Sequence, residues 1–241
     1  NQTIEQRNFY DLNYLSSTSI SLVFDRVQHE VLFKKEFKEN TLYFRNEAQF
    51  ATIKEHRFLC NAISVDDQRF FIIYHYKAFE SLVECKKMKI VFSEYQKFIN
   101  ITRIIGALSF IHQNEYIHGD IKPGNIFVDS KLLFYLGDFD FCQSIKSPKR
   151  QVSRSMFQDP DQETDEHLVR SIDIYSLALL IWFLYEELES LNCIKSKITS
   201  IKQNRKLDSS NVPAFWADIV NQCIQLDKAQ RPTAESIEEI C

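Results

Sequence analysis

The sequence predicts a bilobal α+β chain, with a small sheet-rich lobe holding one helix over residues 1–76 and a larger helical lobe over residues 77–241. Three observations carry that expectation. Near residue 80 the texture changes, from runs of β-branched and aromatic residues to apolar residues at helical spacing. The length, 241 residues, exceeds one typical domain of about 150 and allows two lobes with a substantial core. The longest uninterrupted apolar stretch, Leu177 to Tyr185, lies between Ser176 and Glu186. It is far shorter than the roughly 20 residues that cross a bilayer and reads as a buried helix, so no membrane span is expected.

Taken in order, the strand-like runs of the first lobe are Ile20 to Phe24, Val31 to Phe33 and Phe70 to Tyr76. Between the second and third, from Asn40 to Lys54, Phe44, Ala48 and Ala51 recur at helical spacing, and Phe50 and Ile53 widen the apolar face. One helix therefore interrupts the sheet. Beyond residue 93, Tyr95, Phe98, Ile99, Ile101, Thr102, Ile105, Leu108 and Ile111 describe a long amphipathic helix, and Ile172 to Tyr185 a mostly buried one.

Apolar residues make up 44% and charged residues 26% of the chain, which excludes global disorder. The net charge of −4 supplies no general attraction to nucleic acid or acidic lipid, and no nucleic-acid partner is expected. Glycine is scarce: four residues, at 106, 119, 124 and 137, against about 7% in average usage. Nothing before residue 106 can form a glycine-rich phosphate loop, so a nucleotide there must be held another way. The six cysteines, at 60, 85, 142, 193, 223 and 241, form no C-x-x-C pair and lie near no histidine at zinc-ligand spacing. They read as reduced thiols of an intracellular protein, cytoplasmic or nuclear. No charged-then-apolar signal follows Asn1, and the chain reads as a fragment without its targeting information.

The chemistry concentrates in Tyr116 to Cys142, YIHGDIKPGNIFVDSKLLFYLGDFDFC. His118, Asp120, Lys122 and Asn125 follow the order H-x-D-x-K-x-x-N, and Asp138 opens D-F-D after two short strand-like runs, Ile126 to Val128 and Leu132 to Leu136. On these residues the chain resembles the eukaryotic-type protein kinases, whose signature is H-R-D-x-x-x-x-N followed by D-F-G. The resemblance implies the bilobal kinase fold, ATP and Mg²⁺ as cofactors, and transfer of the γ-phosphate to a protein hydroxyl, with serine or threonine expected. By the same resemblance Asp120 orients the nucleophile, Lys122 neutralises the transferring phosphoryl group, and Asn125 and Asp138 hold Mg²⁺ through hard oxygen atoms.

Further matches extend over Phe9 to Ile240. Lys34, at the end of a strand in VLFKKEF, resembles the phosphate-binding lysine, with Glu47 on the next helix as its partner and Lys35 and Glu55 as competitors. Asp161, after Asp159-Pro160, resembles the acidic residue of A-P-E, and Arg231 the late arginine that forms a buried ion pair with it. Asp173 falls at the start of the central helix.

Three departures matter. Ser16, Thr18 and Ser21 stand where the family's nucleotide loop carries glycines, ahead of Val23, so looser ATP binding is expected. Asp140 replaces the glycine of D-F-G and is expected to be a solvated side chain, a third metal ligand being the alternative. Gly119 replaces the arginine of H-R-D, which removes the charge that gathers a phosphorylated activation loop, so activity without such phosphorylation is expected although Ser144, Ser147, Ser153 and Ser155 are available. H-G-D and D-F-D also resemble small-molecule kinases of the aminoglycoside and choline kinase type, and the missing glycines leave open a pseudokinase that binds without turnover. Within protein kinases, HGDIKPGNIF is similar to the Wee and Myt kinases, which also lack that arginine.

Overall fold

The computed structural model describes residues 9–14, 20–51, 53, 55–75, 80–148, 152–162, 169–187, 190–204 and 206–241. Ser16 and Thr18 lie outside them.

The first part of the chain forms a five-stranded antiparallel sheet from β1 (Phe9–Tyr14), β2 (Ile20–Asp25), β3 (Glu30–Glu36), β4 (Ala62–Asp66) and β5 (Phe71–His75), in the order β1-β2-β3-β5-β4. Helix α1 (Leu42–Ala51) interrupts it between β3 and β4. Side chains alternate between the two faces of each strand, and this alternation decides the chemistry. On one face Leu32 packs with Val23, Phe71 and Ile73. On the other, Phe33 packs with Ile72, Tyr74 and Phe44 of α1. Lys34 shares the face of Leu32, and Lys35 that of Phe33 and the helix. Strands β1 and β4 are absent from the sequence reading; β1, FYDLNY, interleaves polar residues, and all five residues of β4 are only half-buried, so neither shows an apolar run.

The helical part begins with the short β6 (Glu80–Ser81) and α2 (Leu82–Lys87), followed by the long α3 (Glu94–Gln113). At its start Ser93 and Gln96 form a reciprocal capping box, satisfying two backbone N–H groups that the first turn leaves open. After β7 (Tyr116–Ile117), strands β8 (Ile126–Val128) and β9 (Phe134–Leu136) form a hairpin, and β10 (Gln143–Ser144) returns to pair with β7. Helix α4 (Ser171–Tyr185) is buried at every residue from Ile172 to Leu184, as its continuous apolar run predicts. Helices α5 (Leu191–Asn204), α6 (Ala214–Cys223) and α7 (Ala234–Glu239) complete this part. The main core cluster joins α3, α4 and α6 to the β8–β9 hairpin, and Phe50 of α1 and Phe139 belong to it. Among the described residues no helix is long and apolar enough to cross a membrane.

Candidate active site

The loop between β7 and β8 is suspended from the first turn of α4. Asp173 accepts hydrogen bonds from the backbone N–H of His118 at 2.8 Å and of Gly119 at 2.9 Å, and its carboxylate meets His112 Nε2 at 2.9 Å. Burial opposes the charge of Asp173, but its hydrogen bonds from His112 and the Gly119 N–H outweigh it and hold the carboxyl below its usual range. His118 is fully buried, which lowers its pKa despite three neighbouring carboxylates. Its two bonds require the neutral ring: Nδ1 accepts from Asp120 N at 3.3 Å and Nε2 donates to Gly137 O at 3.2 Å. Gly119 has a local reason of its own. Its φ is +76°, and a Cβ there would come within 2.9 Å of Phe141 O, so any side chain at this position is strained.

Suspended in this way, Asp120 points both carboxylate oxygens at donors. Oδ2 accepts from Lys122 Nζ at 2.5 Å and Asn125 Nδ2 at 3.0 Å, while Oδ1 accepts from the Ser153 hydroxyl of the segment that follows β10. Asn125 Nδ2 also reaches Asp120 O at 2.8 Å. Asp120 is only 3% exposed, with Ser153 and Asn125 closing over it. Ser153 is a partner that sequence spacing does not reveal, since its place depends on how the intervening loop returns. The β8–β9 hairpin brings together the two expected metal ligands: Asn125 precedes β8, Asp138 follows β9, and Gly137 N donates to Asn125 O at 3.0 Å.

The lysine facing this hairpin is Lys35, which corrects the assignment of Lys34. Lys35 Nζ lies 2.7 Å from Glu47 Oε2, 2.7 Å from Asp138 Oδ1 and 2.8 Å from Asp140 Oδ1. Lys34 instead pairs with Glu36 at 2.6 Å and lies over the Phe71 ring on the opposite face. Strand alternation explains the exchange, since only the residue on the α1 face can reach Glu47. Glu47 is the expected partner, and the Tyr74 hydroxyl also donates to it. Burial works against the charge of Lys35, but its three carboxylates prevail and raise its pKa well above the ordinary lysine value. Burial pushes the Glu47 carboxyl up to about 8 against the pull of Lys35, whereas Lys35 prevails at Asp138 and lowers its pKa. Asp140 is not freely solvated: its side chain ends on Lys35 and its carbonyl accepts from Asn46 Nδ2 at 2.9 Å.

Ser21, in β2, is buried, as is Val23, which packs with Leu32. The carboxylate oxygens of Glu47, Asp138 and Asp140 lie within 4.8 Å of one another. Of these, Asp138, with Asn125 at the other end of the hairpin, is a hard oxygen donor of the kind that suits Mg²⁺, so the residues present fit that ion.

A second correction concerns the late arginine. Arg231 Nη1 lies 2.5 Å from Asp159 Oδ2, both side chains fully buried, while Asp161 stays outside the pair. Arg231 also donates to Gln225 O at 2.8 Å and Ser171 O at 2.9 Å. D-P-D offers two acids two residues apart, and only the path of the chain selects between them.

The protein kinase domain family matches residues 18–240, and the chain belongs to that family. It is similar to a putative serine/threonine-protein kinase of Acanthamoeba polyphaga mimivirus, 23% identical over 194 residues, covering 73% of this chain and 68% of that protein. It is also similar to extracellular signal-regulated kinase 7 of Drosophila melanogaster, 25% identical over 185 residues, 66% of this chain and 19% of that protein. The interferon-induced, double-stranded RNA-activated protein kinase of Mus musculus is 31% identical over 113 residues, 45% of this chain and 21% of the relative. The chain thus spans about a fifth of the length of two of these three relatives.

Proposed function

We propose that the chain transfers the γ-phosphate of ATP to a serine or threonine hydroxyl of a protein substrate. The observation that carries this reading is the state of Asp120, a carboxylate held by Lys122 and Asn125 whose other oxygen already accepts a hydroxyl, that of Ser153. A carboxylate oxygen has two acceptor sites, so Oδ1 has room for a second, incoming hydroxyl. In the reaction the substrate oxygen forms a bond to the γ-phosphorus as the bond to the ADP oxygen breaks, and Asp120 takes the hydroxyl proton. Lys122, on the same carboxylate, offsets charge on the phosphoryl group in transit. Asn125 and Asp138 would hold Mg²⁺, which when bound neutralises phosphate charge. Lys35, oriented by Glu47, would meet the nucleotide phosphates, whereas Ser21 and Val23 of β2 stand across from Lys34 and Leu32 on the other face of the sheet and leave the expected nucleotide-binding set.

Activity without activation-loop phosphorylation belongs to the same proposal. Gly119 offers no charge to a phosphate, and Ser153 is buried against Asp120 without one. Lys146, one local cation that could substitute, pairs with Glu115.

The test is to incubate the purified chain with ATP, Mg²⁺ and casein and to map products by mass spectrometry. Phosphoserine or phosphothreonine on casein, undiminished by prior phosphatase treatment of the chain, is the expected result. Phosphate only on tyrosine would overturn the residue preference, and no transfer to any protein would overturn the kinase reading.

A further inference from the structure

A lysine ammonium has three N–H donors, and the three carboxylates around Lys35 match that number. Glu47, Asp138 and Asp140 stand at 2.7, 2.7 and 2.8 Å, and the residue is only 9% exposed. No donor of Lys35 is left for a phosphate. Two of these carboxylates belong to the assembly proposed above: Glu47 would orient the lysine, and Asp138 would hold the metal. Asp140 has no such place, and it stands where the family pattern carries glycine. Its backbone does not require glycine, since its φ is not positive, whereas that of Asp138 is +63°.

Asp140 is also held where it is. Its carbonyl is tied to Asn46 on α1, and its neighbours are docked: Phe139 packs on Phe50 with ring centroids 4.4 Å apart, and Phe141 on Tyr43 at 5.4 Å. The carboxylate can leave Lys35 only by turning its own side chain, which is 25% exposed, against 2% for Glu47.

We infer that Asp140 is a built-in competitor for Lys35, an affinity-determining residue that occupies the ammonium until a nucleotide phosphate displaces it. The inference rests on the nucleotide-site reading above. A phosphate reaching Lys35 must break the Lys35–Asp140 bond and accept a nearby carboxylate of like charge. A divalent cation would relieve that repulsion, so the site discriminates against metal-free nucleotide.

Calorimetric titration of ADP, with and without Mg²⁺, into the wild-type chain, D140N and D140G tests this, with D67N on the β4–β5 turn as a charge-matched control. Asn keeps the shape and the Asn46 contact, which guards against a loosened loop in the glycine variant. Loss of a charge-assisted bond to the lysine should tighten metal-free ADP by about tenfold or more in D140N and D140G, with a smaller gain for Mg²⁺-ADP and no change in D67N. Unchanged or weaker metal-free ADP binding in D140N overturns the inference. Weaker binding confined to Mg²⁺-ADP would make Asp140 a metal ligand instead, and likewise overturns it. If neither the wild type nor any variant binds ADP with or without Mg²⁺, the nucleotide-site reading itself falls and takes the inference with it.

Discussion

Among the described residues, the cation–carboxylate clusters around Arg231 and Lys35 are both buried, and they are built on opposite principles. At Arg231 one guanidinium meets one carboxylate, that of Asp159, and its remaining bonds go to the backbone carbonyls of Gln225 and Ser171; both charged side chains are fully buried. The charges cancel, and the pair pins the segment after β10 to the helical part. At Lys35 one ammonium meets three carboxylates, two of which are partly open, Asp138 at 31% and Asp140 at 25%. A surplus of negative charge serves stability poorly, but it suits a site that receives a metal-bound phosphate. The first cluster has the build of a latch, and the second that of the proposed nucleotide site.

The largest expected effect on stability is therefore at the latch. Arg231→Ala takes the guanidinium from the buried Asp159 carboxylate, which should cost about 3–5 kcal/mol in denaturant unfolding. A variant that unfolds at the wild-type midpoint would remove the latch from the account.

Lys35→Met should do less to the fold and more to function. Two of the stranded carboxylates can reach water, and the third, Glu47, is already pushed toward its protonated form, so the cost should be about 1–3 kcal/mol. Nucleotide binding, read by the same calorimetry, should be lost. Equal destabilisation by Arg231→Ala and Lys35→Met would erase the distinction between latch and site.

The smallest effect belongs to the neighbour. Lys34 pairs with Glu36, itself about a third exposed, and contacts Phe71, so Lys34→Ala should cost under about 1 kcal/mol and leave nucleotide affinity unchanged. Loss of binding in Lys34→Ala but not in Lys35→Met would reverse the strand-face argument.

Both clusters also mark where sequence reading stops. The loop of the candidate active site was legible because its chemistry is compressed into eight residues, His118 to Asn125, whose types and order constrain one another. The buried helix α4 was legible from its unbroken apolar run. The choice between Lys34 and Lys35 was not, because adjacent strand residues face opposite sides and nothing in VLFKKEF says which side carries α1. Asp159 and Asp161 pose the same problem across a proline. Ser153 on Asp120 and Asp140 on Lys35 are contacts between segments separated by 33 and 105 residues, which local pattern does not encode.

The role proposed for Asp120 is to accept a hydroxyl proton during phosphoryl transfer. It is tested most directly by the initial rate of γ-phosphate transfer to casein in Asp120→Asn, measured beside the wild type and with the unfolding midpoint of each. The account predicts a fall of about 10² to 10⁴ in rate with the midpoint little changed, because the amide keeps the shape of the carboxylate but cannot take the proton. Transfer by Asp120→Asn at the wild-type rate would contradict it.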